Sequence, residues 1–256
     1  MKLRVLLAAV GASLASASAA SAALIGVNFT GGRATNPTPV NGSAGFFPQT
    51  NWNNESGATQ ATPQPLVLDN GSASGAAVTW SSPNTWDDGG TPANENGNLL
   101  FGYLDNTLTT NSIATITGLP ASIAGTGTTP YTVVVYIAGD TAGRGGSISV
   151  NGVTTGSYVT KGPSTDGVLV QATPGTPGTG AGATQGNYVV IPGVTGTNLE
   201  IRAVAESIGS NQRLPFDGFQ VMSTPVPEPA GAAVLGLAGA GLLARRRRPK
   251  GRPKEE

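Results

Sequence analysis

The chain predicts an all-β sandwich of jelly-roll type, and three observations carry that expectation. Glycine and proline are abundant, at 38 and 19 of 256 residues, while charged residues make up only 11%. Apolar runs are short, rich in β-branched and aromatic residues, and cut by clusters of Gly, Asn, Pro and Thr. No window carries the 3.6-residue period of a long amphipathic helix. About ten to twelve such runs in roughly 200 residues suit two packed antiparallel sheets.

The expected strands, in order, are Leu24 to Phe29, Leu66 to Leu68, Ala76 to Trp80, Leu99 to Tyr103, Ile113 to Thr117 and Tyr131 to Ala138, followed by Ser147 to Val150, Val153 to Val159, Val168 to Gln171, Tyr188 to Ile191, Leu199 to Ala205 and Phe219 to Met222. In Leu199-Glu200-Ile201-Arg202-Ala203 the alternation puts apolar residues inward and charges in water. Val133-Val134-Val135-Tyr136-Ile137 has no polar break, so a central strand covered on both faces is expected. Asn151-Gly152 between two such runs predicts a type I′ hairpin, because both residues tolerate positive φ. Gly118 to Pro130 and Thr173 to Gly186 are low-complexity stretches, expected as mobile loops.

The two ends read differently from this middle. Met1 to Ala22 has Lys2 and Arg4, an apolar run from Val5, and a small-residue stretch ending Ala20-Ser21-Ala22, the pattern of a signal peptide removed by signal peptidase. Residues 23–224 are then the expected β-sandwich ectodomain. Between Leu24 and Val226 five basic residues face eleven acidic ones, a net of −6, whereas basic charge crowds after Ala244. Val226-Pro227-Glu228-Pro229 precedes fifteen uncharged residues, Ala230 to Ala244, and then Arg245, Arg246, Arg247 and Arg248. As a helix the apolar stretch would span about 22 Å, short of a ~30 Å hydrocarbon core, which suits a transient hold on the inner membrane. The arginines place the C-terminus in the cytoplasm. Prolines at 225, 227 and 229 keep the backbone extended just outside the bilayer, where a processing enzyme could reach it.

This order of Pro-Glu-Pro, short apolar helix and arginine cluster behind a signal peptide resembles the PEP-CTERM sorting signal, here residues 225–248. The resemblance implies recognition of Pro227, Glu228 and Pro229 by an exosortase-like membrane enzyme, with Arg245 to Arg248 as the membrane stop. It implies transit through the inner membrane to the cell surface or extracellular matrix, and exopolysaccharide as a ligand. It covers only the C-terminal segment. The basic tail 249–256 departs from the family pattern, in which chains end soon after the arginines. Lys250-Gly251-Arg252-Pro253 also looks like the core of a minor-groove AT-hook, but an exported protein meets no DNA, so no nucleic-acid partner is expected. In the middle, Asn51-Trp52-Asn53-Asn54, the apolar strand into Gly139-Asp140 and the closing Asp217-Gly218-Phe219-Gln220-Val221 resemble galactose-binding-like jelly rolls of bacterial surface proteins.

Cysteine and histidine are absent, which excludes disulfides, Ser-His-Asp and Cys-His catalysis, and imidazole-held metals. No catalytic residue and no cofactor is expected, and the domain is read as adhesive or structural rather than enzymatic. Sugar binding needs an aromatic face flanked by amides or carboxylates, and Trp52 and Trp86 have such neighbours. Each tryptophan also suits a plug at the end of the core. Arg144, in Gly139 to Gly146, would sit at the tip of a hairpin and reach an acidic sugar. Asp87, Asp88 and Glu95 are weak calcium candidates, but no EF-hand spacing is present and Asp and Asn are common turn residues. The alternative function is a secreted polysaccharide-acting enzyme using a carboxylate pair.

Overall fold

A computed structural model describes residues 22–31, 38–209 and 212–224. The first strand, β1 (Leu24–Phe29), pairs antiparallel with the last, β14 (Gly218–Ser223), and parallel with the short β2 (Asn53–Glu55). On its other side β14 pairs with β8 (Tyr131–Tyr136), which pairs with the edge strand β12 (Tyr188–Val194). These five strands form one sheet, in the order β12-β8-β14-β1-β2. A second, seven-stranded sheet contains β3 (Thr59–Val67), β4 (Ala73–Ser81), β7 (Ser112–Thr117), β9 (Gly145–Val150), β10 (Val153–Thr160), β11 (Gln185–Gly186) and β13 (Leu199–Ala205), in the order β11-β10-β9-β13-β7-β4-β3. A hairpin of β5 (Asn84–Asp87) and β6 (Gly102–Asp105) stands apart, with two short helices, α1 (Glu95–Leu99) and α2 (Ala121–Ala124), in the connections. The chain is mostly β, with several sheets, and is compatible with a β-sandwich.

One core joins the two large sheets. Ile25, Val27, Phe29, Val133, Val135, Phe219 and Val221 of the five-stranded sheet meet Val78, Trp80, Ile116, Ile148, Ile201 and Ala203 of the other in a single buried cluster. Each fully buried side chain of this size contributes about 1.5–3 kcal/mol of transfer free energy. The alternate residues of β8, Val134 and Tyr136, point the other way into a second cluster with Trp52, Leu99 and Leu100. The run without a polar break is therefore a central strand covered on both faces, as its sequence predicts. On β13, Leu199, Ile201, Ala203 and Ala205 are buried while Glu200 and Arg202 are half-buried and ion-paired at 3.1 Å. The β9–β10 turn has positive φ at both Asn151 (49°) and Gly152 (79°), as a type I′ hairpin requires.

Several expectations are corrected. Leu99 to Tyr103 is not a strand: α1 ends at Leu99 and β6 starts at Gly102. The cause is local, since the Asn94 side chain caps α1 by accepting the Gly97 N–H at 3.0 Å. Val168 to Gln171 makes only an isolated bridge, Gln171 to Tyr188, and Val168 is exposed. The β3 strand starts seven residues before the expected Leu66 and carries Pro63 and Pro65, which an edge strand tolerates. Within Gly118 to Pro130, α2 buries Ile123 and Ala124. Thr173 to Gly186 is tied down by bridges from Thr173 to Thr184 and from Gly175 to Ser157. Finally, residues 139–144 are not a hairpin: β8 lies in one sheet and β9 in the other, so this segment crosses between sheets.

Candidate functional site

Titratable side chains converge where the crossover after β8, the β5–β6 hairpin and the start of β14 meet. Gly102 packs so closely on the Thr30 carbonyl that a Cβ there would collide with it, which seats the hairpin against the end of β1. The register pairs Trp86 with Tyr103. The Tyr103 hydroxyl donates to Asp140 Oδ1 (3.0 Å) and accepts from Arg144 Nη1 (3.1 Å), and Arg144 Nη1 is also 2.7 Å from Asp140 Oδ1. Arg144 is buried, at 7% exposure. It braces the crossover from inside, and the tip position expected for it is wrong because the segment spans two sheets.

Two further carboxyls stand beside this triad. Asp88 Oδ2 accepts the Ser164 N–H at 2.8 Å, and Asp217 Oδ2 accepts the Ala138 N–H at 2.6 Å. Burial pushes the Asp88 carboxyl up to about 7, against the pull of the Ser164 N–H and Arg144. Burial drives Asp217 well above the ordinary carboxylate range, and the negative charge of Asp88 pushes in the same direction. Asp88 Oδ1, Asp217 Oδ1 and Arg144 Nε have no hydrogen-bond partner. Burial likewise raises the Tyr103 phenol. The cluster can hold a proton near neutrality. Asp217 is fully buried, so no substrate reaches it in this conformation.

The structure brings Trp86, Asp87, Asp88 and Arg144 to this one end of the molecule and leaves Trp52 and Glu95 elsewhere. Trp86 is half-buried on β5, and Asp87 is buried with Oδ1 accepting the Gly89 N–H at 3.1 Å. Glu95 Oε2 accepts from the Asn41 N–H (2.9 Å) and Asn98 Nδ2 (3.1 Å), so it ties α1 to the 38–52 segment rather than facing Asp87 and Asp88. Among the described residues, no three acidic side chains are grouped so that they could hold a metal ion. Trp52 is 7% exposed, donates its indole N–H to the Gln49 carbonyl at 3.2 Å and lies edge-on to Tyr136 at 6.2 Å. It fills packing space and offers no open face for a sugar, because the segment carrying it folds back over the outer face of the five-stranded sheet. Pro227, Glu228, Pro229 and Arg245 to Arg248 lie outside the described residues, as does Met1 to Ser21 of the expected signal peptide. No helix among the described residues is long and apolar enough to cross a membrane.

The exposed aromatic surface is Phe46, on the segment that buries Trp52. Its ring is 37% exposed, tilted 35° on Tyr188 at 5.1 Å and edge-on to Phe47 at 4.7 Å. A buried polar relay holds it still. The Phe46 N–H donates to the Tyr136 hydroxyl (2.7 Å), which donates to Gln220 Oε1 (2.6 Å), while Gln220 Nε2 donates to the Phe47 carbonyl (2.7 Å). Asn96 Oδ1 accepts the Gly45 N–H at 2.8 Å. A sequence signal exists in retrospect: Phe46-Phe47 sits between Gly45 and Pro48 in an otherwise polar segment. Reasoning from tryptophan alone passes over it. No protein-family model matches this chain, and no curated protein matches it significantly.

Proposed function

We propose that the chain is an exported protein, handed by an exosortase-like sorting enzyme to the cell surface or extracellular matrix, where a non-enzymatic jelly-roll-type sandwich associates with polysaccharide. The observation that supports the domain's role is Phe46: an exposed aromatic ring on a backbone already locked by buried hydrogen bonds. Such a ring stacks on the C–H face of a sugar at little entropic cost. The absence of histidine and cysteine from the whole chain supports binding over the common forms of nucleophilic and metal catalysis.

The sorting half of the proposal rests on the order of signal peptide, domain, Pro-Glu-Pro, apolar stretch and arginines. It is supported by where the compact unit stops. That unit runs from Ala22 to Thr224, and its final strand β14 is paired on both sides, by β8 and β1. The Ser223 N–H donates to the Ala23 carbonyl and the Ala23 N–H to Ser223 Oγ there, both at 3.0 Å. Every strand pairing among the described residues lies at or before Ser223, so removal of everything after Thr224 leaves those pairings in place. Residues 23–224 should keep the melting temperature of a longer secreted form within about 2 °C, a difference that corresponds to about 0.5–1 kcal/mol. Mass spectrometry of the protein from cells with and without the sorting enzyme tests the pathway. Loss of the arginine block only when the enzyme is present is the expected result, and an intact C-terminus on surface-extracted protein would overturn it.

The second reading, a polysaccharide-acting enzyme, draws on Asp88, whose carboxyl retains a proton near neutrality as a general acid must. Both its oxygens are already buried or bonded, which favours the binding reading. A reducing-sugar assay separates the two: product formation that disappears in Asp88→Asn would establish catalysis, and retention of polysaccharide without product supports the proposal.

A further inference from the structure

A cavity of about 270 Å³ opens at the side of the domain, where the edge of the five-stranded sheet faces β10 of the other. Its floor is Tyr158, Val189 and Ile191, and its rim carries Thr155, Gln171 and Thr173. Two sheet irregularities make room for it. The β9–β10 register slips between Thr154 and Gly156, and the β8–β12 register slips between Ile191 and Val194. Bulges of this kind concentrate at sheet edges and beside binding sites. A strap then closes one wall: the Ala172 N–H donates to the Tyr188 carbonyl of one sheet and the Gly175 N–H to the Ser157 carbonyl of the other, both at 2.8 Å. Pro174 of the strap sits against Gly156, whose φ of +136° and lack of a Cβ permit the close approach.

We infer that this cavity is a binding subsite for a single uncharged sugar residue, a conclusion that rests on the polysaccharide-associated reading above. No charged side chain lines it, so it has nothing to pair with a carboxylate, sulfate or ammonium group. Its size falls just below the ~300–1,000 Å³ of pockets that take drug-sized molecules, which suits one ring. Its apolar floor suits the C–H face of a pyranose. The Tyr158 hydroxyl at the floor donates to Thr155 Oγ1 (3.1 Å), which donates to the Ile148 carbonyl (3.0 Å), and the rim adds the amide of Gln171, which bonds no other group among the described residues. The cavity also shares a strand with the aromatic surface: Phe46 stacks on Tyr188, three residues before Ile191 on β12. Tyr188 belongs to the cluster on the outer face of the sheet and Val189 and Ile191 to the core between the sheets, so the aromatic surface and the cavity flank the edge strand on opposite faces.

Residues 23–224 with ¹⁵N label, titrated with glucose, galactose, mannose, their N-acetyl derivatives and the matching hexuronates, test the site. At least one neutral sugar should shift the amide signals of Ala172, Val189 and Ile191 with a millimolar Kd, and its hexuronate should bind at least about tenfold more weakly. Gln171 and Thr173 are exposed, so Gln171→Ala should leave the fold intact, Thr173→Trp should keep it at the loss of the Thr173 hydroxyl's bonds to Thr184, and both should abolish those shifts. The inference is overturned if the domain retains exopolysaccharide through Phe46 while Thr173→Trp retains it equally and no sugar shifts the cavity signals. Preferential binding of a hexuronate or of a purely apolar probe such as cyclohexane would overturn it as well. Failure of the unmodified domain to retain any polysaccharide would instead remove the reading on which the inference rests.

Discussion

The two ends of the polar inventory are used in opposite ways. At the β5–β6 end, Asp88, Asp140, Arg144 and Asp217 are drawn inward, and their interactions hold a crossover and a hairpin together. Along the β12 edge, Phe46, Gln171 and Thr155 are neutral, lie at the surface, and rest on a backbone fixed by other groups. Buried ionisable groups give rigidity and pH sensitivity, whereas a neutral amphipathic surface gives contact with water-soluble partners at little desolvation cost. Residues that look functional by type can therefore be structural by position, as Trp52 and Arg144 are.

The largest effect that would sharpen this contrast is Trp52→Ala, which should cost about 4 kcal/mol in urea unfolding through lost packing, while retention of polysaccharide per folded molecule stays unchanged. Next comes Arg144→Ala. Removing one partner of a buried ion pair typically costs about 3–5 kcal/mol, and here it takes the cation from Asp140, which keeps only the Tyr103 hydroxyl as donor, and leaves the Tyr103 hydroxyl without the Arg144 donor. If Arg144→Ala instead weakened sugar binding with no change in the unfolding midpoint, the division of roles drawn above would be wrong.

A pH series probes the same end more gently. Asp88 is raised in the folded state to about 7, against an unfolded value near 3.9. A raised carboxyl stabilises the fold fully below its unfolded pKa and loses that contribution as pH climbs through the folded one. The melting temperature should therefore fall between about pH 4 and pH 7, and Asp217, raised by burial in the same direction, adds to that fall. In Asp88→Asn the slope between pH 4 and 7 should flatten, and an unchanged slope would remove Asp88 from the account. The smallest effect belongs to Phe46→Ala, which should lower polysaccharide affinity about tenfold and the stability by under about 1 kcal/mol, since the ring is partly exposed already.

Much of the sheet structure was legible because its signals are local. Unbroken β-branched residues at Val133 to Val135 mark a strand that is covered on both faces, and Asn151-Gly152 marks its hairpin through backbone sterics alone. The elements that were missed turn on neighbours the pattern does not include. The apolar Leu99-Leu100-Phe101 run resembles a strand until Asn94 caps the helix that ends at Leu99, leaving Leu100 and Phe101 in the turn before β6, and Pro63 and Pro65 argue against a strand until β3 is seen to be an edge. The site was less legible still, since type and spacing pointed to Trp52, Trp86 and Arg144, of which Trp52 and Arg144 are buried and Trp86 is half-buried, and passed over Phe46.

The amino-acid order by itself determined the β class, the alternation along β13 and the β9–β10 turn, because side-chain period and positive-φ tolerance act over a few residues. It also carries the terminal segments, whose reading depends on composition rather than on packing. The tertiary structure decided which sheet each strand joins, that residues 139–144 cross between sheets, and which aromatic ring faces water. It also decided that the Asp88 and Asp217 carboxyls are pushed up from their ordinary range, because burial and the field of a neighbouring charge are set by residues distant in the chain and close in space.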